Sequence, residues 1–191
     1  ATTYIYTVSI HDALPISSNE FSNWQRDADT LLRLHARYGA SQFKLDGVNI
    51  QTKRAEANFA RFLDSVCRQS GNAIGLNLDI TAQDRLGYLY LNRYGTLFVE
   101  NRYTDWANYY PHNTLKNAWS LSHYFPLRKF QFEVLNNERN AHLYGDDPLA
   151  PARYTIDYTF ACVMCANPLL WMEMMHLPKA AADRQIGRAH V

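Results

Sequence analysis

The sequence predicts an α/β fold, a partial (β/α)8 TIM barrel in which parallel strands alternate with helices. Three observations carry this expectation. Strand-type and helix-type segments alternate at roughly 25 to 35 residues per unit, the rhythm of strand–helix–strand crossovers. Ala73 to Ile80 is apolar except for Asn77 and Asp79, as suits a strand covered on both faces. About four strands can be counted, half of a closed barrel, and a whole barrel takes about 250 residues.

The elements follow in order. Ser18 to Tyr38 is a helix with Leu31, Leu32 and Leu34 on its buried side, ended by Gly39. Ser41 to Leu45 is a short strand. Ala55 to Gln69 is a helix carrying Phe59, Phe62, Leu63 and Val66 at three- and four-residue spacing, closed by Gly71. Ala73 to Ile80 is a strand, Gln83 to Tyr94 a helix and Thr96 to Glu100 a strand. His112 to Tyr124 is a helix, Lys129 to Val134 a strand and Tyr154 to Cys165 a helix.

Composition narrows the function classes. With 47% hydrophobic and 19% charged residues, the chain has the make-up of a packed globular protein. Nineteen basic residues against 18 acidic give a net charge of +1, so no basic excess calls for nucleic acid or an anionic membrane. No apolar run reaches the roughly 18 residues that a spanning helix needs. Cys67, Cys162 and Cys165 are too few and too odd in number for a disulfide framework. The Cys162-Val163-Met164-Cys165 pair lacks the further Cys or His ligands of a zinc set, so buried thiols and no metal are expected.

Both ends read as translated sequencing adapters. Ile186 to Val191 is what ATC GGA AGA GCA CAC GTC encodes, and His11 to Ser17 is what CAC GAC GCT CTT CCG ATC TCN encodes. Residues 1–17 are therefore expected to be read-through and residues 179–191 read-through or tail, leaving 18–178 as a partial catalytic domain. The gene is expected to continue on both sides, and the chain alone to be inactive.

Three strand ends carry polar chemistry. In Phe43-Lys44-Leu45-Asp46-Gly47, Lys44 and Asp46 point the same way, and Asp46 stands at a strand's C-terminal end. A lysine there helps keep a carboxylate ionised, as a nucleophile requires. The same residues also read as a type I′ hairpin, with Asp46-Gly47 joining Gln42–Leu45 to Val48–Gln51. Both readings stand from the motif alone.

In Phe98-Val99-Glu100-Asn101-Arg102-Tyr103-Thr104-Asp105-Trp106, Arg102 offers a planar fork of donors to sugar hydroxyls. Asp105 beside Trp106 suits a general acid, because an apolar neighbour raises a carboxyl pKa. The competing reading makes Asp105 a helix cap and Arg102 half of a structural ion pair. Asn77 and Asp79 share a face of the strand between, either as ligands for a polar molecule or as a satisfied buried pair. Asp46 and Asp105 stand two strand–helix units apart, which places both on one barrel rim. Paired carboxyls about 5 to 5.5 Å apart are the device of a retaining glycosidase. Trp106, Tyr109, Tyr110 and Trp119 are candidates for stacking on sugar faces.

Phe43-Lys44-Leu45-Asp46-Gly47 resembles the K-x-D-G nucleophile strand of the α-galactosidase (melibiase) clan of glycoside hydrolases. Asn101 to Asp105 resembles that clan's later strand end, where an arginine precedes the acid/base aspartate. Asp147 to Pro151 and Asn167 to Leu169 resemble the distal barrel of bacterial members. The likeness covers roughly residues 19–178, about the second half of the barrel. It implies that Asp46 is the nucleophile and Asp105 the acid/base. It implies that Lys44 and Arg102 bind the sugar; Asn77, Asp79 and Trp106 are further substrate contacts expected from the residues themselves.

Two departures stand out. Arg102 to Asp105 is three residues where the clan often has four. A Cys- or Gly-rich strand end is replaced by Asn77-Leu78-Asp79-Ile80-Thr81. The implied activity is a retaining, two-carboxylate cleavage of terminal α-linked galactose from an oligosaccharide or α-galactoside, with no cofactor. The rivals are another α-glycosidase of the clan and a non-catalytic carbohydrate-binding barrel. The absence of N-x-S/T sequons fits a bacterial source, cytoplasmic or periplasmic. Oligomeric state is left open.

Overall fold

The computed structural model describes residues 5–6, 20–46, 48, 50–81, 87–170, 177, 179–180 and 183. The expected adapter runs 11–17 and 186–191, and the Gly47 of the first motif, lie outside them. The protein is α/β, with strands paired in parallel and helices in the connections. It divides into two compact units, residues 1–99 and 100–191.

In residues 1–99 the strands are β1 (Ile5–Tyr6), β2 (Gln42–Leu45), β3 (Gly75–Asp79) and β4 (Gly95–Phe98), side by side in that order. Strand β1 falls within the segment expected to be read-through, yet it pairs with β2 through Ile5↔Gln42 and Tyr6↔Phe43. The register then runs Lys44↔Asn77 and Leu45↔Leu78 into β3, and Leu78↔Leu97 and Asp79↔Phe98 into β4. With both edges of β2 occupied by parallel neighbours, Val48 and Ile50 are not strand, and the hairpin reading of Asp46-Gly47 does not hold.

The helices are α1 (Trp24–Tyr38), α2 (Lys53–Gln69) and α3 (Gly87–Tyr94). Helix α1 starts later than the expected Ser18, after turn residues 20–23, and ends at Gly39, whose φ of 70° is the left-handed conformation glycine tolerates. Helix α2 opens at Thr52, whose hydroxyl accepts the Ala55 N–H at 3.1 Å. It buries Phe59, Phe62, Leu63 and Val66, the expected stripe. The first part of the expected Gln83–Tyr94 helix lies outside the described residues.

Gly95 is fixed by β3. A Cβ there would stand 2.1 Å from the Leu76 carbonyl oxygen, so no other residue keeps this register. Phe43, Leu45, Leu76, Leu78 and Leu97 are buried apolar residues, while Lys44, Asn77 and Asp79 are buried polar ones. Side chains alternate along a strand, so β2 and β3 set an apolar face against a polar face with both covered.

In residues 100–191 the helices are α4 (Pro111–Ser122) and α5 (Ile156–Ala161), with strands β5 (Phe130–Val134) and β6 (Asn167–Leu170). The two strands pair in parallel from Gln131↔Asn167 to Val134↔Leu170. Strand β6 is not among the segments expected from the sequence, because Pro168 reads as a strand breaker. Pro111 sits in the first turn of α4, where its missing N–H costs nothing. Phe130, Phe132, Val134, Leu135 and Tyr109 form a fully packed core.

Helix α5 ends at Ala161 rather than Cys165, and residues 162–165 form turns. Cys162 is buried but Cys165 is exposed, which corrects the expectation of two buried thiols. The helical i, i+3 face stops before Cys165 reaches it.

Candidate functional site

The polar strand ends of residues 1–99 converge on Lys44. Its Nζ lies 3.0 Å from Asp79 Oδ2 and 3.3 Å from Asp46 Oδ2. The same ammonium sits 3.9 Å from the centroid of the Phe98 ring. Lys44 is buried, and a buried ammonium is tolerable only with such partners. Parallel register explains the meeting. Lys44 stands opposite Asn77, Asp79 lies two residues further along the same face, and Asp79 stands opposite Phe98.

Asp79 is the better enclosed of the two carboxylates, with a side chain 2% exposed against 42% for Asp46. Its Oδ1 accepts the Thr81 amide at 2.8 Å and the Thr81 hydroxyl at 2.7 Å. Asp46 follows directly on β2 and keeps an accessible carboxylate. Asn77 is buried beside Lys44 on the polar face. The expected sharing of a face by Lys44 and Asp46, and by Asn77 and Asp79, is present. The Lys44–Asp79 pair was not among the expectations, because register between separate strands cannot be read from spacing along one.

In residues 100–191 the polar centre is Glu100. Arg102 Nε lies 3.3 Å from Glu100 Oε2, which also receives the Thr114 hydroxyl at 2.6 Å. The Asn117 amide donates to Glu100 Oε1. The Arg102 backbone N–H donates to Glu133 Oε2 at 3.3 Å, and its guanidinium donates to the Asn108 carbonyl at 3.3 Å. Glu100 and Glu133 are both buried. Arg102 is thus held in an ion pair, one of the two readings open from sequence.

Asp105 and Trp106 lie on a single 3-10 turn, Thr104–Trp106, closed by Ala107 at φ 50°. Both are exposed. The Trp106 ring packs edge-on against Tyr103 at 4.5 Å rather than enclosing Asp105. Asp105 does not cap the next α-helix, since the residue at the start of α4 is Tyr110. The fixed member of this turn is Thr104, fully buried, whose hydroxyl accepts from Asn140 at 3.0 Å.

Of the expected stacking residues, Tyr109 is core. Its hydroxyl accepts the Leu135 N–H at 3.4 Å, and burial pushes its pKa far up. Tyr110 donates to Asp147 at 2.9 Å, and the Leu149 amide and this hydroxyl hold the Asp147 carboxyl below its usual range. Trp119 is exposed on α4.

Two carboxylates escaped sequence reading. Glu100 stood inside a motif whose arginine and aspartate drew the attention. Glu133 alternates with Phe132 and Val134 in an apolar strand, a pattern that marks a buried charge only once the strand is known to be covered on both faces. Among the described residues no group of three or more His, Cys, Asp or Glu is arranged to hold a metal ion. No helix among them is long and apolar enough to cross a membrane. No protein-family model, curated protein or solved structure matches the chain.

Proposed function

We propose that this chain is part of a retaining glycoside hydrolase of α-galactosidase type, acting on terminal α-linked galactose. The carrying observation is Lys44 Nζ at 3.3 Å from an accessible Asp46 carboxylate, at the C-terminal end of a parallel strand that leads into a helix. That is where (β/α) barrels place catalytic groups, and the parallel strand–helix units are compatible with a partial TIM barrel. The motif resemblance at Lys44–Asp46 and Arg102–Asp105 supports the same reading.

In this reading Asp46 attacks the anomeric carbon and forms a glycosyl ester. Asp105 gives its proton to the departing glycosidic oxygen. Asp105 then takes a proton from water, which adds at the same carbon and expels Asp46, so configuration is retained. Lys44 and Arg102 hold sugar hydroxyls, with Asn77 and Trp106 as further contacts. The oligosaccharide or α-galactoside is the partner, and no cofactor takes part.

The test uses the complete gene product and a panel of aryl glycosides. Hydrolysis of the α-galactoside with retention, abolished by Asp46→Ala in a folded protein, supports the assignment. Full turnover by Asp46→Ala overturns it. Preference for another aryl α-glycoside assigns a different sugar within the same clan. A second reading, a non-catalytic carbohydrate-binding protein, is favoured by the exposure of Asp105 on its 3-10 turn. Sugar binding without turnover supports that reading.

A further inference from the structure

We propose that Asp79 is a positioning residue that anchors the Lys44 ammonium and divides its charge with Asp46, rather than a ligand for sugar. The proposal rests on Asp46 as the nucleophile. A sugar ligand must turn an oxygen toward the substrate, whereas Asp79 turns both inward. Oδ1 receives the Thr81 amide and hydroxyl, Oδ2 faces Lys44 at 3.0 Å, and the side chain is 2% exposed. The Phe98 ring holds the ammonium from a third direction at 3.9 Å.

The consequence is a divided charge. Lys44 stands nearer to Asp79, at 3.0 Å, than to Asp46, at 3.3 Å. A nucleophilic carboxylate must be ionised, but a full pair with a buried ammonium ties up the oxygen that attacks. Asp79 lies closer to that charge and leaves Asp46 its accessible carboxylate. Among the described residues, the charged groups brought to Asp46 are Lys44 on β2, at 3.3 Å, and beyond that ammonium Asp79 at the end of β3. Neutralising Asp79 shifts Lys44 toward Asp46 and removes a like charge. Both changes favour ionised Asp46, so its titration moves to lower pH.

The experiment compares Asp79→Asn, Lys44→Met and the double variant in the complete protein. Asp46 is followed by carboxyl-13C NMR, and hydrolysis of an aryl α-galactoside is measured against pH. For Asp79→Asn the expected result is a kcat lower by about 10- to 100-fold with KM within about twofold. The acid limb and the Asp46 titration both move to lower pH. The double variant is expected to be no slower than Lys44→Met, because Asp79 acts through Lys44. A raised KM at unchanged kcat, an Asp46 titration that stays or rises, or losses that multiply would overturn the assignment. If Asp79→Asn does not fold, Thr81→Val loosens Asp79 while keeping its charge, and smaller shifts in the same directions are required. If the wild-type protein hydrolyses no glycoside, the functional reading fails while the Asp46 titration still decides the role of Asp79.

Discussion

Arg102 Nε lies 3.3 Å from Glu100 Oε2, and the Glu100 side chain is only 6% exposed. Thr114 and Asn117 complete the carboxylate's partners from α4. The guanidinium charge thus offsets a carboxylate that would otherwise be buried at a cost. Glu100→Gln is expected to lower the unfolding free energy by about 1–3 kcal/mol. Urea denaturation measures this, and a change within about 0.5 kcal/mol, the range of neutral surface changes, would contradict it.

Tyr90 gives the opposite expectation. It is buried on α3, its hydroxyl has no hydrogen-bond partner among the described residues, and its ring meets Phe59 edge-on at 5.4 Å. Burial, reinforced by the charges of Glu56 and Tyr94, pushes its pKa up to about 12. Tyr90→Phe keeps the ring contact and removes a stranded hydroxyl, so stability is expected to rise by about 1 kcal/mol. The unfolded tyrosine ionises near pH 10 and the folded one near 12. The native state therefore loses stability as pH rises across that window, and Tyr90→Phe removes this component. Denaturant midpoints taken from pH 8 to 12 in both proteins check it.

Asp27 is buried on α1 with one carboxylate oxygen lacking a partner among the described residues, and the other 3.4 Å from Arg26. Burial outweighs Arg26 and raises its pKa above the usual value of 3.8. The native state then holds the proton more tightly than the unfolded chain. Stability contributed by this group grows as pH falls through the raised value, and levels off below 3.8. Asp27→Asn is expected to raise the thermal midpoint at pH 7, with an advantage that shrinks on acidification. An advantage that grows toward low pH would refute this.

The three thiols should separate in chemical labelling. Cys67 and Cys162 are buried, and burial raises the pKa of both, which suppresses the reactive thiolate. Cys165 is exposed. Brief iodoacetamide treatment of the native protein is expected to modify Cys165 well ahead of the other two, as read by peptide mass spectrometry. Equal labelling would place the turn after α5 differently.

Much of the fold was legible because it depends on local pattern. The Phe59, Phe62, Leu63 and Val66 stripe specified α2, and Gly39 marked the end of α1 through a backbone angle that glycine alone adopts cheaply. Strand β6 was not legible, since Pro168 breaks most strands and is accepted here by the pairing with β5. At the candidate site, Lys44 and Asp46 could be matched along one strand by the two-residue alternation.

By itself the sequence determined the α/β class, the strands and helices between Ser18 and Cys165 to within a few residues, and the polar residues at the strand ends, because those follow from periodicity and composition. Only the tertiary structure decided that Asp46 follows a parallel strand instead of turning a hairpin. The same holds for Lys44 being shared with Asp79 and for Glu100 and Glu133 being buried around Arg102. Those outcomes depend on which strands lie side by side and in what register, and register is set by contacts between residues far apart in the chain.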